Sequence, residues 1–313
     1  MKLLIDTDVG IDDAVALLMA LAQPDCDIKA ITTVVGNVPL AQATHNAGVV
    51  LDIANAPLIP IHRGCTKPLL QYRPDDATEF HGADGLGGAG QAQTNRTVAS
   101  EHASLALIRL ARAHPAELTL LTLGPLTNVA LAVRLEPAFL GQLKQIVMMA
   151  GAVDGRGNTS PPAEFNISVD PEAAKIVFAA GAAAGVPITL ISWEATLAHP
   201  ISFETWASLI EGSTPTARFL QTMSVFAKDV MLAYGYAALL WPDPLAAAVA
   251  LAPEIMLEQE WRFLDVETGP NLARGQTIVD YRTRSDRSPN VHIVRTVDMQ
   301  KFHELLRLAA NQE

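Results

Sequence analysis

Four aspartates fall within eight residues near the start of the chain, in Asp6-Thr7-Asp8-Val9-Gly10-Ile11-Asp12-Asp13. Carboxylates this close repel one another, and charged groups are seldom buried together without a compensating partner. Helix capping uses one of them, or at most two, because Asp is a favoured cap and acidic residues suit a first helical turn. The remaining acidity asks for a cation. The stretch has no His or Cys, so every donor is oxygen. That set suits Ca²⁺ or Mg²⁺ rather than Zn²⁺.

The elements around the cluster would position it. Leu3-Leu4-Ile5 is an apolar run that reads as a buried strand, and Ala14-Val15-Ala16-Leu17-Leu18 has helical spacing. Asp6 and Asp8 therefore leave the C-terminal end of a strand, and Asp12 and Asp13 open a helix. In a parallel α/β sheet that edge is where ligands bind. Polar residues recur after later apolar runs: Asn37 after Asp27–Val35, Asn128 after Glu117–Leu123, and the loop from Gly151 to Asn166 after Lys144–Gly151. Each has an ordinary reading alone. Asn37 suits a turn, Asn128 a helix start, Glu164 and Asn166 a solvated loop, and Asp243 a cap between two prolines. Together, along one sheet edge, they describe an oxygen-rich pocket. Glu164 and Asn166 flank Phe165 and would point the same way in an extended segment.

Strand and helix patterns alternate through the first two thirds, which implies right-handed crossovers and a parallel sheet. Helices are expected near 12–22, 40–55 and 100–113, with another opening at Gly124-Pro125 and one at Asp170-Pro171. Pro60-Ile61-His62 reads as a short strand and Pro187–Ile191 as the last parallel one. Cys65–Arg96 is Gly-rich and reads as a long loop without regular structure, the kind that is usually functional. Its Gly82–Gly88 run lacks the Lys-Ser/Thr of a phosphate loop. From Phe203 to about Gly235 the pattern is helical. Trp261–Glu267, Gln276–Thr283 and Asn290–Arg295 read as added antiparallel strands, and Met299–Ala309 as a closing helix. The expectation is one α/β domain over 1–313: a mostly parallel, Rossmann-like sheet flanked by helices. A helical insertion is expected at about 203–240, and antiparallel strands near the C-terminus.

Composition narrows the partners. The 313 residues are 50% hydrophobic and 18% charged, with net charge −11, so a nucleic-acid polymer would be repelled while a small polar ligand fits. No apolar stretch reaches the roughly 18–20 residues of a membrane span. Cys26 and Cys65 form no disulfide or metal framework. Met1-Lys2 leads straight into the first strand, with no signal peptide pattern. The expected location is cytoplasmic.

Asp6-Thr7-Asp8-Val9-Gly10-Ile11-Asp12-Asp13 resembles the N-terminal signature of the calcium-dependent nucleoside hydrolases, the inosine–uridine nucleoside N-ribohydrolase family. Val35-Gly36-Asn37, Leu123-Gly124-Pro125-Leu126-Thr127-Asn128, Glu164-Phe165-Asn166 and Gly275-Gln276-Thr277-Ile278-Val279-Asp280 are similar to further segments of that family in the same order. The resemblance spans nearly the whole chain. It implies hydrolysis of ribonucleosides to free base and ribose. Asp8, Asp13, Asp243 and the backbone carbonyl of Leu123 would hold Ca²⁺, together with the ribose 2′- and 3′-hydroxyls and a water. Asp8 would be the general base on that water. Asp12, Asn37, Asn158, Glu164 and Asn166 would bind the ribose, beside Phe165. A homodimer or homotetramer is also implied.

One departure stands out. Many members place a His immediately before the last metal Asp, as acid for the departing base. Here that position is Pro242, which has no proton to give. His81 and Tyr234 are then candidate donors. Trp241 is a candidate to stack on the base, as purine-preferring relatives do. Two other readings compete. A haloacid-dehalogenase-like phosphohydrolase would use Asp6 as nucleophile and Asp8 as acid with Mg²⁺, but leaves Asp12-Asp13 and Glu164-Phe165-Asn166 unexplained. A metal-dependent nucleoside- or ribose-binding protein without turnover would need only the ligands.

Overall fold

The computed structural model describes residues 1–70 and 76–311. Among these, nine strands form one sheet: β1 (Lys2–Thr7), β2 (Asp27–Thr33), β3 (Ile61–Arg63), β4 (Val98–Ala99), β5 (Leu118–Thr122), β6 (Gln145–Met149), β7 (Ile188–Ile191), β8 (Met256–Arg262) and β9 (Val291–Val297). Their order is β8-β9-β7-β6-β5-β1-β2-β3-β4. Every neighbouring pair is parallel except β8 with β9. From β1 the chain runs outward through β2 to β4, then returns to β5 on the other side of β1. The crevice between β1 and β5 is thus a topological switch point, where open α/β sheets bind ligands.

Both faces of the sheet are covered, which is why the central strands are continuous apolar runs rather than alternating ones. Successive residues of β1 still separate by face. Leu3 and Ile5 join a core with helices Ile11–Leu21, Pro242–Leu251 and Met299–Ala310. Leu4 joins the opposite core with helices Ala103–Ala113, Thr127–Leu135 and Pro171–Ala184. Helix Ile11–Leu21 packs along helix Pro242–Leu251. Both begin at the same edge of the sheet, and that packing brings residues 12 and 13 to residue 243.

The expected C-terminal antiparallel strands are present: β8 pairs antiparallel with β9, and Leu264–Val266 with Thr277–Val279 as a separate two-stranded sheet. Three expectations need correction. Val291–Arg295 belongs to β9, which also pairs parallel with β7, so the parallel sheet runs one strand further than Pro187–Ile191. Glu164-Phe165-Asn166 is not extended: Phe165–Val169 is a short helix with Glu164 as its N-cap. Finally, the Gly-rich segment Cys65–Arg96 carries a helical turn at Thr78–His81, and residues 71–75 of it lie outside the described residues. The helical pattern after Phe203 resolves into helices Phe203–Leu209 and Pro215–Ala233. No helix among the described residues is long and apolar enough to cross a membrane.

Candidate active site

A cleft of about 480 Å³ opens at the switch point. Asp12, Asn37, Leu123, Asn158, Glu164, Phe165, Asn166 and Asp243 line it. His81, Tyr234, Trp241 and Pro242 line it too, with Phe80, Tyr236 and Leu239, and His81 Nδ1 is 3.7 Å from Asp12 Oδ1. Asp8 and Asp13 are completely buried and are not part of the lining.

The aspartates are arranged by the turn between β1 and the first helix. Asp13 accepts the Gly10 N–H at 2.8 Å, the Asn37 Nδ2–H at 3.0 Å, and the Thr7 hydroxyl. Asp13 is thus the helix-start carboxylate that caps the Gly10 N–H. Asp8 Oδ2 accepts the Asn37 backbone N–H at 2.7 Å, while Oδ1 is buried with no hydrogen-bond partner. Asp12 Oδ1 is likewise without one, 3.7 Å from His81 Nδ1. One oxygen each from Asp12, Asp13 and Asp243 all lie within 4.8 Å of one another. Burial lifts all four carboxyls above their ordinary values. Asp12 rises to about 6, and Asp8 and Asp243 rise well beyond the usual range because burial adds to repulsion by their acidic neighbours.

Close backbone approach makes room for this crowd. A Cβ on Gly36 would meet Asp8 Cγ at 2.8 Å, and one on Gly124 would meet Asp8 Oδ1 at 2.7 Å. Asp8 sits between two backbones that only glycine permits so near. Asn166 Nδ2 donates to the Leu123 carbonyl at 2.7 Å and to the Met149 carbonyl at 3.1 Å. Asn166 therefore steadies the Leu123 oxygen, a role beyond the ribose contact expected of it. Glu164 accepts three backbone N–H groups, from Gly151, Asn166 and Ile167 at 2.7–3.2 Å. Burial nonetheless carries its carboxyl up to about 7. Asn158 is exposed, and its Oδ1 accepts the Phe165 N–H at 2.9 Å.

The candidate donors differ in setting. His81 Nδ1 accepts the Ile11 backbone N–H at 3.0 Å, which leaves the proton of the neutral ring on Nε2. Burial lowers its pKa to about 4, so the ring is neutral at physiological pH. Tyr234 is 46% exposed at the end of helix Pro215–Ala233. Its ring lies 4.8 Å from that of Phe80, and a hydrogen bond to Glu79 raises its pKa. Trp241 is buried, its ring centred 4.6 Å from that of Trp206 and tilted 42° to it, yet it borders the cleft and its Nε1–H has no partner. It serves core and cleft wall together. Pro242 is the first residue of the helix that carries Asp243, where a missing N–H costs nothing.

The donor set fits a hard divalent cation. Asp8, Asp12, Asp13 and Asp243 offer only oxygen, two of their buried oxygens lack any other partner, and the Leu123 carbonyl keeps a free lone pair beside Asn166. The tightest trio includes Asp12, which the resemblance gives to ribose, and omits Asp8, which it gives to the metal. Asp8 adjoins this trio, since its charge raises the pKa of Asp243 and it is itself raised by Asp13 and Asp12.

Residues 3–304 match the model of the inosine-uridine preferring nucleoside hydrolase family. The chain belongs to that family. It is 36% identical over 311 residues to the inosine-uridine preferring nucleoside hydrolase of Crithidia fasciculata, covering 97% of this chain and 96% of the relative. It is 34% identical to a pyrimidine-specific ribonucleoside hydrolase of Salmonella agona, covering 98% and 97%. A solved inosine-guanosine nucleoside hydrolase superposes with a TM-score of 0.92 at 32% identity, covering 100% of this chain and 99% of the other. This nucleoside hydrolase is accordingly an N-glycosyl hydrolase acting on nucleosides. The phosphohydrolase reading falls. The family match over residues 3–304 overturns it, and Asp6, its required nucleophile, has its Oδ1 held by the Thr32 hydroxyl and the Asn128 amide.

The roles of several residues that shape this nucleoside hydrolase's cleft escaped the sequence reading. Thr277 Oγ1 bonds both the N–H and the carbonyl of Ala152, and Glu194 accepts the N–H groups of Val153, Asp154 and Arg156. Together they hold the loop that carries Asn158. Asn46 bonds the carbonyls of Val9 and Asp84. The available signal was a polar residue inside an apolar helix: Asn46 precedes Ala47-Gly48-Val49-Val50-Leu51.

Proposed function

We propose that the chain hydrolyses the N-glycosidic bond of ribonucleosides with Ca²⁺ as cofactor, Asp8 as general base and His81 as hydrogen-bond donor to the departing base. The observation that carries this reading is the set of buried carboxylates with partnerless oxygens beside a cleft that His81 and aromatic rings also line. Asp8, Asp13, Asp243 and the Leu123 carbonyl would hold the cation. When bound, it would neutralise the carboxylates, acidify a water and grip the 2′,3′-diol.

The chain's own groups do the rest. Asp12, Asn37, Asn158, Glu164 and Asn166 bind and orient the ribose hydroxyls, with Phe165 beside them. As the C1′–N bond stretches, positive charge grows on the ribose, and the surrounding carboxylates stabilise it. Asp8 takes a proton from water as the water oxygen bonds to C1′, and the C1′–N electron pair leaves with the base. His81, its proton placed on Nε2 by Ile11, stabilises that charge by donating a hydrogen bond. Solvent supplies the base's final proton. Tyr234 is a second donor at the rim, and Trp241 walls the base. The reading also takes residues 1–313 as one domain with the 203–240 helices inserted over the cleft, working in the cytoplasm in nucleoside salvage as a homodimer or homotetramer.

The relatives named above differ in the bases their names specify, so base preference needs measurement. The test is release of base and reducing sugar from inosine, adenosine, guanosine, uridine, cytidine and their 2′-deoxy forms, with and without EDTA. Cleavage of ribonucleosides, lost on chelation, restored by Ca²⁺ and absent in Asp8→Ala, is expected. Comparable rates on the deoxy forms would contradict the diol contact. Nucleoside binding without turnover would leave the binding-protein reading.

A further inference from the structure

Asn46 lies in the middle of helix Leu40–Ile53 and is completely buried. An amide there is costly unless each of its polar atoms is paired. Its Nδ2 donates to the Val9 carbonyl at 2.9 Å and to the Asp84 carbonyl at 2.9 Å, and its Oδ1 accepts from Gln42 Nε2 at 2.8 Å. The two hydrogens of one amide thus join two loops far apart in the chain. Val9 belongs to the turn that carries Asp8, Asp12 and the Ile11 N–H. Asp84 belongs to the Gly-rich loop that carries His81.

The Gly-rich loop is rigid around that joint. The Asp84 carboxylate accepts the N–H groups of Leu86, Gly88 and Gly90 at 2.9–3.0 Å. Gly87 N–H returns to the His81 carbonyl at 2.8 Å, and Gly85 N–H to the Gly82 carbonyl at 2.9 Å. Gly85 has φ +76°, and a Cβ there would meet Asn46 Nδ2 at 2.7 Å. The loop is therefore shaped to let its backbone reach Asn46. His81 then depends on two tethers to the aspartate turn: Ile11 N–H on its own ring, and Asn46 on its loop.

We infer that Asn46 is a positioning residue: by clamping the aspartate turn to the Gly-rich loop, it sets His81 against the departing base. This rests on the reading of His81 as the group that assists the leaving base. Asn46 is buried and does not line the cleft, so its effect reaches the reaction only through loop placement.

A change of leaving group isolates that step. The phenolate of 4-nitrophenyl β-D-ribofuranoside departs without help from a donor, whereas a nucleobase needs it. The quantity to measure is the ratio of kcat/KM for the fastest ribonucleoside of the panel to kcat/KM for the aryl riboside, with Ca²⁺ present. Asn46→Ala and Asn46→Asp, the latter isosteric but lacking the amide donors, should lower the ratio about tenfold, at or below the lower end of what acid–base assistance contributes. KM for the aryl riboside should stay at the wild-type value. His81→Ala is the reference and should lower the same ratio further. Should His81→Ala leave the ratio unchanged, the leaving-group reading and the Asn46 inference fall together. Should His81→Ala lower it while the Asn46 variants leave it unchanged, or slow both substrates in parallel, the reading of His81 stands and the Asn46 inference is overturned. If the Asn46 variants do not fold, Gly85→Ala presses on the same joint from the loop side, and the same two outcomes apply to it.

Discussion

A single methyl group at Gly36 should disable the enzyme. The Cβ of Gly36→Ala would lie 2.8 Å from Asp8 Cγ and 2.9 Å from Pro125 Cδ, and closer still to Asp8 Oδ2. Non-bonded carbons settle at about 3.5–4.0 Å, so the carboxyl carbon has to retreat by roughly 0.7–1.2 Å, and Oδ2 by more. Gly36 has no left-handed φ, so Ala is conformationally acceptable and the effect is purely steric. The retreat stretches the 2.7 Å bond from the Asn37 N–H to Asp8 Oδ2. A hydrogen bond to a charged group contributes about 1.5–3 kcal/mol. Misplacing a reacting group by about 1 Å costs on the order of 100-fold in rate. Gly36→Ala is therefore expected to lose about 100-fold or more in kcat/KM, and to bind Ca²⁺ about 10–100-fold more weakly. Gly141→Ala is the control, since the nearest atom to its Cβ would be 3.8 Å away. Base release gives the rate, calorimetric titration gives the cation affinity, and a thermal melt establishes folding. A folded Gly36→Ala enzyme within about threefold of wild type, a difference under ~1 kcal/mol, with unchanged Ca²⁺ affinity, would refute the placement of Asp8.

Three further outcomes are expected. Asp243→Asn removes one of four mutually repelling buried carboxylates, so in EDTA it should raise stability by about 1–2 kcal/mol, seen as a Tm a few degrees higher, while turnover disappears; a lower Tm in EDTA contradicts the repulsion. The chelated protein should also lose stability as pH rises from about 4 to 7. Asp6 and Asp12 rise to about 6 and Glu164 to about 7 through burial. The folded chain holds protons there that the unfolded chain has released, so stability falls with pH by up to ~1.4 kcal/mol per proton per unit. Excess Ca²⁺ should flatten this slope, and a Tm in EDTA that climbs from pH 5 to 7 would contradict it. Asn166→Ala leaves the Leu123 and Met149 carbonyls unpaired, costing about 1–3 kcal/mol in urea unfolding; Ca²⁺ affinity should fall with it, and an unaltered affinity would show that Leu123 needs no support.

The sequence by itself determined the family, the parallel strands up to β7 apart from the short β4, and the chemical character of the site. Those properties are local. Four carboxylates in one strand-turn-helix mark an all-oxygen cluster that could hold a cation, and apolar runs bounded by Gly and Pro identify buried strands. Pro242 likewise removes a proton donor by identity alone. Partners across the fold were not legible. Asp12 and Asp13 meet Asp243 because helix Ile11–Leu21 packs on helix Pro242–Leu251, and no local pattern encodes that contact. Asn290–Arg295 has the same alternating, β-branched character beside a parallel or an antiparallel neighbour, so its pairing with β7 was decided by the sheet. Glu164 caps a helix rather than extending a strand because the Gly151 N–H, arriving from the end of β6, and the first amides of that helix converge on its carboxylate. His81 could be recognised as a candidate, but only Ile11, seventy residues earlier, decides which nitrogen carries its proton. Chemistry is written in residue types and short spacings. The geometry that makes it usable comes from packing between segments distant in the chain.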